Sequence, residues 1–172
     1  MKRSILLKTF TFLLIVFNFG CDQITKDIVR KEIENRETIE VIGQNFILTK
    51  VENRGMALSL GSELPEIFHL VIIQFIPLVL IIGLTAFVFI RKLQMSILIG
   101  LCFIIGGGYG NLVDRIFYGS VTDFMYLEVG IVRTGIFNVA DLSVTIGAII
   151  IAVSSIRPTD KRKKIKLERT ED

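Results

Sequence analysis

Four apolar runs divide the chain, approximately Leu6 to Lys26, Phe68 to Ile90, Met95 to Arg115 and Phe137 to Ile156. About 20 apolar residues at roughly 1.5 Å each cover a hydrocarbon core of about 30 Å, so each run is long enough, or nearly so, to cross a membrane as a helix. Between the first two runs the period changes. Thr38, Ile39, Glu40, Val41 and Ile42 alternate, Gly43 to Asn45 read as a turn, and Phe46 to Val51 resume a β-rich composition, which predicts two or three short strands outside the membrane. Pro77, inside the second run, predicts a kink of the kind neighbouring helices tolerate. The third run carries Gly100, Gly106, Gly107, Gly108 and Gly110, and Gly106 and Gly110 have the spacing with which two membrane helices approach closely. Tyr118 and Tyr126 bracket a short loop, their amphipathic rings suited to headgroup level.

Composition agrees with this frame. Of 172 residues 51% are apolar and the mean hydropathy is +0.61, too high for a soluble domain of this size. The expected fold is a mainly α membrane protein with four transmembrane helices. Residues 1–156 form a single domain that includes an external insert at about 30–66, and residues 157–172 form a basic cytoplasmic tail.

The net charge of +3 bears on orientation and not on a nucleic-acid partner. Lys2, Arg3 and Lys8 open the chain, Arg91 and Lys92 fill the tight link between the second and third runs, and Arg157, Lys161, Arg162, Lys163, Lys164 and Lys166 follow the fourth. Arg30 to Glu66, by contrast, holds five basic residues against seven acidic ones. Basic short loops stay in the cytoplasm, which puts both termini inside and residues 30–66 and 116–136 outside.

Cys21 and Cys102 read as small buried apolar residues, with no disulfide or metal-ligand spacing. Met1 to Cys21 also imitates a lipoprotein signal peptide with Cys21 as the lipidated residue. Asn18, where such a signal normally carries an aliphatic residue, and three further apolar runs count against it.

Polar residues collect at the ends of the runs expected to face outward. Asp22 and Lys26, at i and i+4, either close the first helix at the interface or brace a site from behind. Asn111, Asp114 and Arg115 should share one helix face at a depth where charge is costly unless paired or functional. Asn53 to Ala57 is turn-like, with Gly55 permitting a tight backbone. The only histidine, His69, has no partner motif for nucleophilic catalysis. Asp123 lies in the short loop, and Asn138 and Asp141 share a face at the start of the fourth run. Two carboxylates brought together share a proton, one acting as base and the other as acid, which suffices to hydrolyse an amide without metal or cofactor. The competing reading is that Asp141 merely caps its helix.

Five stretches, in order, resemble the motifs of the bacterial lipoprotein signal peptidases (signal peptidase II). They are Asp22-Gln23-Ile24-Thr25-Lys26, Asn53-Arg54-Gly55-Met56-Ala57, Gly107 to Arg115, Val121-Thr122-Asp123-Phe124 and Phe137-Asn138-Val139-Ala140-Asp141. The resemblance runs from about residue 10 to residue 155. It implies an aspartic intramembrane endopeptidase of the bacterial inner membrane that cuts prolipoproteins just before their diacylglyceryl-modified cysteine, near the outer face. Asp123 and Asp141 match the catalytic pair. Asn53, Gly55, Asn111, Arg115 and Asn138 match residues that hold substrate or order the site, and Asp22, Lys26, Asp114 and Ala140 match the supporting shell. The resemblance further implies an extracytoplasmic β-cradle with a short interfacial helix, membrane lipid as a partner and inhibition by globomycin-type peptides; a monomer is expected, although the sequence carries no signal of oligomeric state. Met56 and Leu58 depart from the family's loop and bear on how that loop lies over substrate or inhibitor.

A small transporter, with Asp114, Arg115 and Asp141 relaying protons, is the reading from another class. It requires polar residues continuing across the membrane, whereas Ile97 to Ile105 and Ile146 to Ile156 are almost wholly apolar. A lipidated, non-catalytic scaffold built on Cys21 is a third.

Overall fold

In the computed structural model of the chain, residues 2–55 and 65–156 are described; Met56, Ala57, Leu58 and the basic tail from residue 157 lie outside them. The first helix, α1, spans Lys2–Glu32. At about 1.5 Å per residue its 31 residues run to roughly 46 Å, well beyond a hydrocarbon core of about 30 Å. It therefore outlasts the expected end at Lys26 by more than a turn. Val29 and Ile33 explain the extension: they are buried against Phe124, forming a small apolar cluster beyond the bundle proper.

Two strands follow, β1 (Thr38–Ile42) and β2 (Phe46–Asn53), joined by the turn expected at Gly43 to Asn45, where Gly43 takes a left-handed φ of 49°. The second spanning helix, α2, covers Glu66–Ile90. The disturbance expected at Pro77 takes the form of a π-helical segment, Leu70–Phe75, directly ahead of regular α-helix at Ile76–Ile90. Proline cannot supply an N–H to the preceding turn, and a wider turn there accommodates it.

Helix α3, Met95–Tyr118, is the most buried of the four spans. Its glycines explain why. A Cβ at Gly106 would lie 2.7 Å from the Asn18 Cβ and 2.9 Å from the Ile15 carbonyl oxygen, so α1 presses directly on that backbone. Gly110 continues this contact onto Asp22. Gly100 and Gly107 serve a different neighbour, the last helix α4 (Val139–Ile156), where they meet Gly147 and Ala140. Gly108 meets Ile81 of α2, so the glycine stripe packs against three helices, not one. Leu98, Cys102, Ile105 and Leu112 of α3 join Ile15, Ile81 and Val88 in the main core. Large apolar side chains on the outward faces of the bundle, such as Phe17, Leu80 and Ile149, are exposed, as a lipid-facing surface requires.

Gly119, at φ 72°, ends α3 and turns the chain into β3, Val121–Val129. Asp123 was expected in a loop; it stands instead in this strand, which pairs antiparallel with β2 and carries the two-residue β4 (Val132–Arg133) on its other side. The sheet order is β1-β2-β3-β4. Phe137, expected to open the last helix, exchanges backbone hydrogen bonds with Met125 of β3, so α4 starts two residues later and is tied to the sheet at its first turn.

Candidate active site

The alternation of β3 sorts its side chains onto two faces. Val121 and Asp123 face a cavity of about 730 Å³, while Thr122 and Phe124 face away from it. Asp123 is 4% exposed. Both of its carboxyl oxygens accept amide hydrogens: Oδ2 from Asn53 Nδ2 at 2.9 Å, and Oδ1 from Asn138 Nδ2 at 2.6 Å. Burial is the main influence on its pKa and pushes it up to about 6. The charge of Asp141 adds to the rise, and the bonds from Asn53 and Asn138 oppose it.

Asp141 lies in the first turn of α4. Its Oδ1 accepts from Asn111 Nδ2 at 2.8 Å and its Oδ2 from the Asn138 backbone N–H at 3.2 Å, while Asn138 Oδ1 accepts from the Asp141 N–H at 3.0 Å. That reciprocal pair is a capping arrangement. So the capping role considered for Asp141 is present, and it coexists with exposure of the same carboxyl to the cavity. Asn138 is the hinge of the arrangement, since one residue holds both aspartates.

The orientation of Asn111 is fixed from behind. Its Oδ1 accepts from Lys26 Nζ at 2.9 Å and from Asn138 Nδ2 at 3.1 Å, which leaves its amide hydrogens for Asp141. Lys26 is fully buried, as are its partners Asp22, at 2.8 Å, and Asp114, at 2.9 Å. Asp22 in turn accepts the Ala140 N–H at 2.8 Å. Snorkelling to an interface is therefore excluded for Lys26; it is a buried cation shared by two acids. Arg115 reaches across the mouth of the cavity, donating from Nη2 to the Gly55 carbonyl at 2.9 Å, and the Gly55 N–H donates to Asn53 Oδ1 at 2.9 Å.

The spacing of Asn111, Asp114 and Arg115 predicted one common face. Asn111 and Arg115 do line the cavity, but Asp114 turns onto α1 and is not in contact with it. Every other residue expected at the site or behind it is in this network. His69 stands apart, its ring nitrogen on the Arg54 carbonyl. Sequence reading missed Arg30, which pairs with Asp114 at 2.9 Å, and Glu52, and gave no role to Thr122, which hydrogen-bonds to Glu52 behind the sheet. The signal for Arg30 was present: Asp22, Lys26 and Arg30 recur every four residues on one helix face.

Apart from Thr134 and Thr145 the rest of the lining is apolar or glycine, with Pro77 and Ile81 of α2 on one side of α3 and Leu142 and Val144 of α4 on the other. A polar corner holding two acids opens onto a trough able to take an aliphatic group.

Comparison with known proteins agrees with this picture. The family described as Signal peptidase (SPase) II matches residues 14–157. The chain is 36% identical over 161 residues to the lipoprotein signal peptidase of Treponema denticola, covering 90% of this chain and 93% of that one. It is 33% identical to the lipoprotein signal peptidase of Clostridium novyi, covering 84% and 96%. Two solved structures described as bacterial membrane enzymes superpose with TM-scores of 0.76 and 0.74, each 29% identical, and cover 86% and 88% of the chain. Matched along nearly its whole described length in sequence and in fold, the chain belongs to the signal peptidase II family.

Proposed function

We propose that Asp123 and Asp141 are the catalytic pair of an aspartic endopeptidase. The family's reaction is cleavage of signal peptides from prolipoproteins, and the chain is accordingly a peptidase with four helices long and apolar enough to place it, multi-pass, in the inner membrane. The observation that carries the catalytic assignment is the bridging of both carboxyls by Asn138, beside a cavity that joins a polar corner to apolar walls.

The chemistry follows from the environments of the two acids. Asp123, raised to about 6, holds a proton more readily than an ordinary aspartic acid. It serves as the acid, and Asp141 accepts a proton from the attacking water. As the water oxygen bonds to the carbonyl carbon, Asp123 protonates the carbonyl oxygen. Collapse of the tetrahedral intermediate returns a proton to the leaving nitrogen and breaks the C–N bond. Asn53, Asn111 and Asn138 hold the carboxyls without adding charge, so neither acid is neutralised as an ion pair would neutralise it. Arg115 and Gly55 pin the loop beside the cavity mouth.

The substrate is a prolipoprotein whose diacylglyceryl-modified cysteine follows the scissile bond. Its acyl chains lie in the apolar trough between α2 and α4, and the peptide crosses the polar corner. Charge asymmetry puts both termini in the cytoplasm and the sheet with the acids at the outer face. Globomycin-type peptides bind in the same trough, and the working unit is a monomer. The test is cleavage of a diacylglyceryl-modified precursor by purified protein in detergent, with and without a chelator. Cleavage of the bond immediately before the modified cysteine, unchanged by chelation, is expected; dependence on a metal, or equal cleavage of the unmodified precursor, sinks the assignment.

A further inference from the structure

Asp123 can be no better placed than the strand that carries it, and the back of that strand is fastened to α1 by Arg30. The Arg30 Nε–H donates to Thr122 Oγ1 at 2.8 Å, its Nη2 lies 2.9 Å from Asp114 Oδ1, and its guanidinium stacks 4.1 Å from the centre of the Tyr118 ring. Thr122 passes the bond on: its hydroxyl donates to Glu52 Oε1 at 2.9 Å, and the other oxygen of Glu52 accepts from Ser120 at 2.6 Å.

Register gives this chain of bonds its meaning. Glu52 and Thr122 are opposite one another in the β2–β3 ladder and face backward, while their neighbours Asn53 and Asp123 face forward and are bonded to each other. One guanidinium therefore holds the end of α1, the end of α3 and the rear of both strands, each one residue from a member of the Asn53–Asp123 pair. Asp141 reaches the same helix ends by its own route, through Asn111 and Lys26. The two acids arrive on different elements, and the α1–α3 contact is the common base from which both are set.

We propose that Arg30 is a positioning residue for the peptidase reaction: by clamping Thr122 against the ends of α1 and α3 it fixes where the Asp123 carboxyl sits relative to Asp141. This rests on the assignment of those two acids as the reacting pair. A misplacement of about 1 Å at a reacting group can cost roughly 100-fold in rate, so a clamp of this kind acts on turnover with little effect on substrate affinity. Lysine cannot replace it, because a single ammonium cannot span Thr122, Asp114 and the Tyr118 ring in one plane.

The experiment compares Arg30→Met, which keeps the aliphatic stem, with Thr122→Val, which removes only the hydroxyl, the double variant, and Thr122→Ser, which keeps the hydroxyl. All are purified as full chains in detergent, assayed on a diacylglyceryl-modified test peptide, and checked by thermal denaturation so that kcat is read on folded protein. Arg30→Met and Thr122→Val should each lose about 10- to 100-fold in kcat with KM within about twofold. The double variant should lose no more than the worse single, because both break one chain of bonds. Thr122→Ser should recover most of what Thr122→Val loses. Should Arg30→Met fail to fold, the Val and Ser pair at 122 decides alone. Wild-type kcat in Thr122→Val, losses that multiply in the double variant, or a loss confined to KM overturns the proposal. Asp123→Asn, run alongside, separates the two levels: its inactivity with full turnover in Thr122→Val removes only the clamp, whereas turnover in Asp123→Asn removes the catalytic pair itself.

Discussion

Two pairs of acids, Asp22 with Asp114 and Asp123 with Asp141, are treated in opposite ways. Asp22 and Asp114 are fully buried and each is matched by a cation: Lys26 bonds to both, and Arg30 adds a second charge on Asp114. Asp123 and Asp141 receive only amide hydrogens, from Asn53, Asn111, Asn138 and one backbone N–H. The difference separates bracing from chemistry. A buried carboxylate with a cation in contact has its charge compensated locally and is fixed in place by the ion pair, whereas Asp123, held by neutral donors and pushed by burial to about 6, is free to exchange a proton with a substrate. The first group is a strut, and Asn111 is the link by which the strut orients the second.

The sharpest way to break this contrast is to remove the ionisation itself. Asp123→Asn or Asp141→Asn keeps size and most hydrogen bonds but cannot exchange protons, and cleavage of a lipidated precursor should fall by about a thousandfold or more while the protein remains folded and membrane-inserted. Turnover within tenfold of wild type in either variant would return these residues to a capping and packing role.

Next in size is the strut. Lys26→Met fills the same space without charge and leaves Asp22 and Asp114 buried against each other's side of an empty contact; loss of a partner in such a cluster costs about 3 to 5 kcal/mol. The purified variant should show a large drop in thermal midpoint, and adding Asp114→Asn should recover part of it. Loss of activity with an unchanged midpoint would instead place Lys26 in the chemistry.

How much of this could be read beforehand follows from the same contrast. The four spans were legible because hydropathy is a sum over about 20 residues, and the hairpin from Thr38 to Val51 because its period is two. Asp123 and Asp141 were legible through motif resemblance; spacing alone left Asp141 between cap and catalyst, and it proves to be bonded as a cap while facing the cavity. The extension of α1 was not legible, since Asp27, Arg30, Lys31 and Glu32 look like a solvated exit from the membrane. Nor was the strand at Asp123, because β3 is recognisable only through its pairing with β2, far earlier in the chain, where Asp123 stands opposite Val51. Long-range pairing leaves no local trace.

A pH profile sharpens the contrast at smaller amplitude. With Asp123 raised to about 6 and acting as the acid, kcat/KM should decline as pH rises through about 6. The Asn53 bond favours the charged form, so Asn53→Ala should move that limb to higher pH. Stability carries the same sign. The raised pKa means that the folded state's preference for protonated Asp123 is fully present below the ordinary value of 3.8 and lost as pH passes about 6, a difference of about 3 kcal/mol. Thermal midpoints should therefore fall between about pH 4 and pH 7 in the wild type and fall less in Asp123→Ala. Equal slopes in the two proteins would mean that Asp123 titrates as an ordinary surface acid.

The smallest expected effect lies on the same helix. Asp27 and Lys31 repeat the Asp22 and Lys26 pattern in residue type and in i, i+4 spacing, and they form an ion pair at 2.6 Å, shorter than the buried one. Yet their side chains are 58% and 67% exposed, where Asp22 and Lys26 are at zero. Water already solvates both charges, and salt screens their attraction, so a short distance there brings little. Asp27→Ala should leave the thermal midpoint and the turnover number indistinguishable from wild type under the conditions in which Lys26→Met is severely destabilised. A comparable loss in Asp27→Ala would show that charge spacing along α1, and not burial against Gly110 and Asp114, is what makes Asp22 and Lys26 matter.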